Sequence, residues 1–238
     1  PAKPLAVLSG KLVVQRVYEQ VAGILDDVVV ATDDKRIYDA VVGFGGKAVM
    51  TSTEHRSGTD RCAEAFHKVG ADKYDVVVNI QGDEPFIQAE QIEALKKCFD
   101  DDATQIATLV KPLSEEDGAE VLDNVNIPKV VVDKNMYAMY FSRSVIPFVR
   151  GYEKNLWLKL HKYYRHIGIY AYRGNVLDEI TKLKQSSLEL AESLEQLRWL
   201  ENGYKIKVGV TNIETVGIDT PEDLERAEEF LKHSENIF

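Results

Sequence analysis

The sequence predicts an α/β protein, and three features carry that prediction. Amphipathic helical spacing alternates with short β-branched runs through the first half of the chain, the rhythm of a sheet covered by helices. One run, YDVVVNI at 74–80, is almost wholly apolar, as a central parallel strand covered on both faces should be. From about residue 127 strands dominate, separated by longer polar segments, so a mixed sheet or subdomain is expected to extend the core. At 238 residues, 45% of them apolar and 29% charged, the chain can bury a sizeable core without disulfides or a structural metal. No repeat, low-complexity segment or domain boundary stands out, and residues 1–238 read as one domain.

Each element has a local reason. Residues 11–24 set Val13, Val14, Val17, Val21 and Ile24 at helical spacing and end near Gly23. Residues 28–32 are a β-branched strand running into acids, 35–44 a short helix with Ile37, Ala40, Val41 and Phe44 inward, and 47–50 a second strand. Ser57, with Asp60 three positions on, fits a capping box for a helix over 60–69 that buries Cys62, Ala65, Phe66 and Val69. After the strand at 74–80 come a helix at 88–99, a strand at 106–110 and a helix at 114–122. Strands follow at 129–132, 138–142, 168–172 and 205–211, while 147–164 carries mixed signals compatible with packing on a partner.

Residues 188–202 read as one amphipathic helix closed by Gly203. Leu190, Leu194 and Leu197 share a sector, and Glu189, Glu192 and Gln196 share another, by default a solvated face. A strand-like 214–218 leads to Thr220, Pro221, Glu222 and Asp223: a cap, a first-turn proline and an acid three after the cap. The last helix then runs to about His233.

Charge and motif content exclude several classes. With 29 Lys and Arg against 39 Asp and Glu the net charge is -10, which argues against a nucleic-acid binder but leaves room for a local basic pocket and anionic small molecules. No apolar run approaches the ~18 residues of a membrane-spanning helix, so no membrane insertion is expected. Cys62 and Cys98 each fall in an expected helix and form no CxxC pair. They read as buried thiols of a reducing compartment, and a cytoplasmic location is expected. The five histidines lack zinc spacing. GxSxG, the P-loop and GxGxxG are all absent; Gly43, Gly45 and Gly46 follow a helix and precede a strand, the wrong order for the last.

Four groups of residues invite chemistry. Gln81-Gly82-Asp83-Glu84-Pro85 leaves the central strand at its carboxyl end, where open sheets bind ligands. Gly82 there permits close approach or an unusual dihedral, and Asp83 is placed to face a ligand or metal; a plain turn fits the same residues. Asp219, just before the last helix, pairs with it as a candidate cation ligand, since Mg²⁺ needs only one or two carboxylates, although a helix-end role fits equally. In HRSGTDR at 55–61, a glycine-containing turn opens a helix whose first amides can receive an anion or a base edge; Ser57 and Thr59 also fit as caps and Arg61 as a surface residue. Lys3, Arg143, Arg165, His166 and Tyr170 form a fourth set able to hold a carboxylate, phosphate or sugar.

In order along the chain, PAKPLA at 1–6, VVVATDD at 28–34, HRSGTDR at 55–61, VVNIQGDEPFI at 77–87, NIPKVV at 126–131, YFSRSVIP at 140–147, YRHIGIYAYR at 164–173, LEQLRWLENG at 194–203 and VGIDTPEDLERA at 216–227 resemble the CMP-KDO synthetases, the 3-deoxy-manno-octulosonate (KDO) cytidylyltransferases. QGDEP alone is shared with other sugar nucleotidyltransferases; the combination is far more specific. The resemblance implies a nucleotidyltransferase fold of the glycosyltransferase-A type, a Rossmann-like mixed and mostly parallel sheet with helices on both faces. It also implies a homodimer, with 127–212 as a smaller sugar-binding and dimerisation part. The implied reaction joins CTP and KDO to give CMP-KDO and pyrophosphate, with Mg²⁺, for lipopolysaccharide biosynthesis.

By the same resemblance, Lys3, Asp83 and Asp219 are the catalytic set, with Asp83 and Asp219 on Mg²⁺ and Lys3 on the triphosphate. His55, Ser57, Gly58, Thr59 and Arg61 join Lys3 and Asp83 in binding the nucleotide. Gln81, Arg143, His166, Tyr170, Glu189, Glu192 and Gln196 hold the sugar, with Asn126 and Lys129 nearby. The family opens on a strand and an arginine-bearing loop, of which PAKPL is the tail, with Ala2 in place of a usual glycine; a segment carrying both is expected before Pro1. Alternatives are an 8-amino form of KDO or another acid sugar such as N-acetylneuraminate. An inactive dimeric structural or regulatory protein is the reading from outside enzymology.

Overall fold

A computed structural model describes residues 3–213 and 221–235. The chain divides into two compact units, one of residues 1–73, 79–89 and 215–238 and the other of 74–78 and 90–214. One of the cuts, between residues 78 and 79, falls inside the VVNIQGDEPFI stretch.

The first unit opens with a hairpin the sequence reading missed. Strands β1 (Val7–Leu8) and β2 (Lys11–Leu12) pair antiparallel with Leu8 opposite Lys11. Ser9 and Gly10 between them both take positive φ, 44° and 77°, the two-residue turn whose twist matches that of the strands. The Ser-Gly dipeptide was the available signal. Helix α1 (Val13–Ala22) buries Val13, Val14, Val17 and Val21 and ends on Gly23 as its spacing predicts. Its Arg16 donates to the carbonyls of Leu8 (2.7 Å) and Ser9 (2.8 Å), locking the hairpin. Strand β3 (Val30–Thr32) runs parallel to β4 (Ala48–Met50), with α2 (Lys35–Gly43) as the crossover. Val14, Ile37 and Val41 form the core between them. Helix α3 (Gly58–Val69) follows, and α9 (Pro221–Glu235) contributes Ala227 and Leu224 to a cluster with Leu8, Val13 and Phe86.

The second unit is built on a six-stranded sheet. Its strands are β5 (Val76–Asn79), β6 (Ile106–Pro112), β7 (Lys129–Val132), β8 (Ala138–Ser142), β9 (Tyr164–Arg173) and β10 (Ile206–Val210). Their order is β10-β6-β9-β7-β8, with β5 also on β9. The helices are α4 (Ala89–Cys98), α5 (Trp157–Leu160), α6 (Gly174–Ile180), α7 (Ser187–Glu192) and α8 (Gln196–Glu201). The sheet is mixed, as expected, but its antiparallel share is larger than the sequence suggested. β10 and β6 pair parallel, whereas β9 pairs antiparallel with β6 and β7, and β7 with β8. The apolar run that suggested a doubly covered parallel strand, β5, is half-exposed at all four residues, and β9 is its one strand partner among the described residues.

Three further readings change. The helix expected at 114–122 is two 3-10 turns, Glu115–Asp117 and Ala119–Asp123, because Gly118 between them sits at φ +77°. The ambiguous 147–164 stretch contributes core as well as surface: Trp157 and Tyr163 are buried with Leu113 and Leu122, while Phe148, Tyr152, Leu156 and Leu160 stay exposed. The strand expected at 168–172 starts at Tyr164, so His166 lies inside it rather than before it. At Gly209 a side chain would collide with Leu109 Cδ2 at 2.8 Å and the Ala94 carbonyl at 3.1 Å. Its absence lets α4 seat directly on β10.

Candidate active site

In the first unit the candidate residues gather at the carboxyl ends of β3 and β4 and at the start of α3. Ser57 caps α3 by accepting from the Asp60 amide at 3.2 Å. Arg61 is tied down rather than a free surface residue. It donates to the Thr51 hydroxyl at 2.6 Å and pairs with Asp33 at 3.2 Å, so it bolts α3 to the ends of both strands. His55 is held by Glu64 through Nε2. The same carboxylate accepts from the Ser52 amide (2.8 Å) and pairs with Lys68 (2.7 Å), and Lys68, the Ser52 amide and His55 together push it down to about 2. The loop that leads to α3 is therefore fixed by one acid, Glu64, which the sequence reading did not single out. Thr59 is buried, whereas Gly58 is exposed at the helix start, where the first amides have no intrahelical acceptor.

The Gln81–Pro85 segment makes two successive turns, with Glu84 N on Gln81 O and Ile87 N on Glu84 O, both 3.3 Å. Pro85 and Ile87 are buried as anchors, Asp83 is half-buried and Gln81 exposed. Gly82 keeps an ordinary φ, against the unusual dihedral entertained for it, and a side chain there would meet nothing closer than Pro4 Cγ at 4.0 Å. Among the described residues no protein atom crowds the position, so packing there does not by itself demand a glycine. Lys3 is exposed in a 3-10 turn, Lys3–Leu5. Asp219 lies outside the described residues. Among the described residues no three His, Cys, Asp or Glu side chains cluster as metal ligands; Mg²⁺, with its one or two protein carboxylates, does not require such a cluster.

The second unit holds the remaining candidates, and here the helix reading is corrected. The segment 188–202 is not one helix: α7 ends at Ser193, which takes φ 51° and ψ 48°, and α8 starts at Gln196. Leu194 and Leu197 are buried as expected, but Leu190 is 62% exposed, while Glu189 and Gln196, expected on the solvated face, are 6% and 4% exposed. Glu189 is bound by Arg198 in a fork, Nε to Oε2 at 2.8 Å and Nη2 to Oε1 at 2.6 Å. It also completes a capping box with Ser186. Arg198 first, then the Ser186 amide, hold its carboxyl below the usual range against the cost of burial. Its oxygens are thus occupied by protein. Glu192 likewise accepts from the Ser142 hydroxyl (2.6 Å) and the Arg143 amide (2.9 Å). Arg143 donates to the carbonyls of Glu192 (2.6 Å), Val125 (2.9 Å) and Ser193 (3.3 Å). Together they staple the end of β8 to the end of α7. Lys129, fully buried, donates to the carbonyls of Asn124 and Arg143.

Of the sugar-site candidates, His166 and Tyr170 lie together on β9, and Gln196 opens α8. The His166 ring contacts Tyr170 at 5.4 Å and Phe141 at 5.1 Å, and Tyr170 meets Trp199 edge-on at 5.1 Å. Burial pushes the imidazole down to about 3, so it is neutral at physiological pH. Burial, then Tyr172 and Glu195, keep the Tyr170 phenol well above its ordinary range. One helical turn before Trp199 lies Gln196. Gln196 Nε2 and Trp199 Nε1 are buried without a hydrogen-bond partner among the described residues. Buried donors left unpaired are costly, and this pair marks where a ligand or water is expected. Trp199, Thr108 and Arg198 were not singled out from sequence; Trp199 and Arg198 sit within the LEQLRWLENG motif, while nothing local flags Thr108.

The mixed sheet with its flanking helices defines an α/β protein of the nucleotidyltransferase type. The cytidylyltransferase family matches residues 1–206, and the chain belongs to that family. It is 72% identical over 235 residues to a 3-deoxy-manno-octulosonate cytidylyltransferase of Phocaeicola vulgatus, covering 99% of this chain and 93% of the relative. To the enzyme of that name in Bacteroides thetaiotaomicron it is 70% identical over 233 residues, covering 98% and 93%. Among solved structures, CMP:2-keto-3-deoxy-manno-octonic acid synthetase complexed with CTP superposes with a TM-score of 0.88 at 41% identity, covering 98% of this chain and 93% of that one.

Proposed function

We propose that the chain transfers CMP from CTP to KDO, releasing pyrophosphate and supplying CMP-KDO for lipopolysaccharide biosynthesis. The observation that carries this reading is near-full-length identity to enzymes of that activity. The anomeric hydroxyl of the sugar attacks the α-phosphorus. A new P–O bond forms in line as the bond to the β-phosphate oxygen breaks, so alignment and charge neutralisation do most of the work.

Lys3 balances the charge that builds on pyrophosphate. The fixed 55–59 loop offers backbone carbonyls to the cytosine amine and α3's first amides to anionic oxygen; Glu64 and Arg61 keep that loop rigid. Asp83 and Asp219 are the residues that would hold Mg²⁺, and the open side of Gly82 beside Asp83 supports the fit. The ion, when bound, supplies charge neutralisation at the phosphate and a lower pKa for the hydroxyl. On the sugar, His166, Tyr170 and Gln196 are direct contacts, supported by the unpaired Gln196 donor. Exposed Gln81 and the spare N–H groups of Arg143 suit its carboxylate and hydroxyls. Glu189 and Glu192 act one step back, by fixing Arg198 and Arg143.

Residues 1–238 work as one catalytic domain in which 127–212 supplies sugar contacts and a homodimer contact, supported by exposed Met139, Phe148 and Leu160. No helix among the described residues is long and apolar enough to cross a membrane. The test is pyrophosphate release with CTP and a panel of KDO, 8-amino-KDO and N-acetylneuraminate. Release that is fastest with KDO is expected; release with none of the three sugars overturns the proposal.

A further inference from the structure

Strand β9 carries an irregularity that bears on His166. Its register against β6 jumps between Thr108, opposite Tyr170, and Leu109, opposite Ile167. Gly168 and Ile169 are therefore left without register partners, as in a β-bulge. The fully buried Thr108 hydroxyl fills the gap: it lies 2.8 Å from the Ile169 carbonyl, 3.3 Å from the Ile167 carbonyl and 2.9 Å from His166 Nε2.

A hydroxyl has one proton to give and lone pairs to receive. Of the three partners at hydrogen-bond distance two are carbonyls, which only accept, and the Ile169 carbonyl is the shorter contact; the Tyr170 hydroxyl also interacts with Thr108. With the proton on that carbonyl, the ring must be the donor to Thr108 Oγ. Nε2 then carries the imidazole proton and Nδ1 carries the lone pair. Among the described residues Nδ1 has no hydrogen-bond partner. Burial, with the ring edge-on to Phe141 and tilted against Tyr170, keeps the imidazole neutral, so it does not take a second proton.

We propose that Thr108 is a positioning residue that fixes His166 as the Nε2–H tautomer and so makes Nδ1 an acceptor for a hydroxyl of the acid sugar. This rests on the reading of the second unit as the sugar-binding part. It assigns the pocket a polarity: Gln196 and Trp199 offer donors to sugar oxygens, and His166 Nδ1 accepts a hydrogen bond from a sugar hydroxyl.

The test compares Thr108→Val, which keeps the shape and removes the hydroxyl, with Thr108→Ser, which keeps the hydroxyl. Nitrogen-15 NMR of the wild-type imidazole, without sugar, should show Nε2 protonated at neutral pH. In Thr108→Val that signature should shift toward mixed tautomers and the KM for KDO should rise about tenfold, with the KM for CTP within about twofold of wild type. Thr108→Ser should restore both. A protonated Nδ1 in the wild type overturns the proposal, and this readout stands even if Thr108→Val fails to fold. An unchanged KM for KDO in a folded Thr108→Val also overturns it. Wild-type protein that turns over no KDO sinks the functional reading instead, while the tautomer measurement still decides the role of Thr108.

Discussion

The two units solve opposite problems with their polar groups. Around α3 two charged side chains of the helix tie the loop down: Arg61 has Asp33 and Thr51, and Glu64 has Lys68, Ser52 and His55. On the proposed function, recognition there falls to backbone groups displayed on a stiff frame. Around β9 and α8 the outer polar groups are paired, as in the Glu189–Arg198 fork, but the innermost donors on Gln196 and Trp199 are not. A site for a charged, flexible nucleotide gains from a rigid frame, because ordering loops costs entropy. A site for a polyol gains from desolvated groups that only the right ligand satisfies, since mismatches leave them unpaired.

The comparison is easiest to break at Asp83. If the loop after β5 carries the reaction's charge handling, Asp83→Asn should lower kcat by more than about a hundredfold while leaving the folded state intact. Pyrophosphate release at limiting Mg²⁺ checks this, and near-normal turnover removes Asp83 from the chemistry.

His166 sharpens the second unit. Its folded pKa, about 3, lies below the unfolded value of about 6.5, so the unfolded chain binds the extra proton first. Stability should be full above about pH 6.5 and fall by up to about 1.4 kcal/mol per unit as pH drops toward 3. Urea denaturation of wild type and His166→Gln at pH 7 and pH 5 measures the difference; an equal acid response in both would show that His166 is not held neutral.

Much of this contrast was legible in the sequence, because local patterning wrote it there. The helices α1 to α4 and the Ser57 cap on α3 follow from residues a few positions apart, and the structure keeps them, although α3 buries Ala63 with Ala65 and Phe66 and leaves Cys62 and Val69, expected inward, half-buried. Other features depend on a single backbone angle or a distant partner. Leu190, Leu194 and Leu197 are spaced in the sequence as one helical face, but the left-handed turn at Ser193 leaves Leu190 exposed and the other two buried, so periodicity alone could not reveal the break or that Glu189 faces inward. Gly118 hid a similar break. Thr108 reads as one more β-branched strand residue; its contact with His166 spans 58 positions and no local pattern encodes it. Arg143 and Glu192 stood out in the sequence as candidates, but their mutual staple, 49 positions long, was not legible there.

The smallest expected change in stability is the most direct test of the contrast between the two units, in Gln196→Met. If the buried amide exists for a sugar rather than for the fold, removing its unpaired donor should leave unfolding free energy unchanged or raise it by up to about 1 kcal/mol, while the KM for KDO rises about tenfold and that for CTP stays level. A variant that loses stability yet binds KDO as the wild type does would contradict the account.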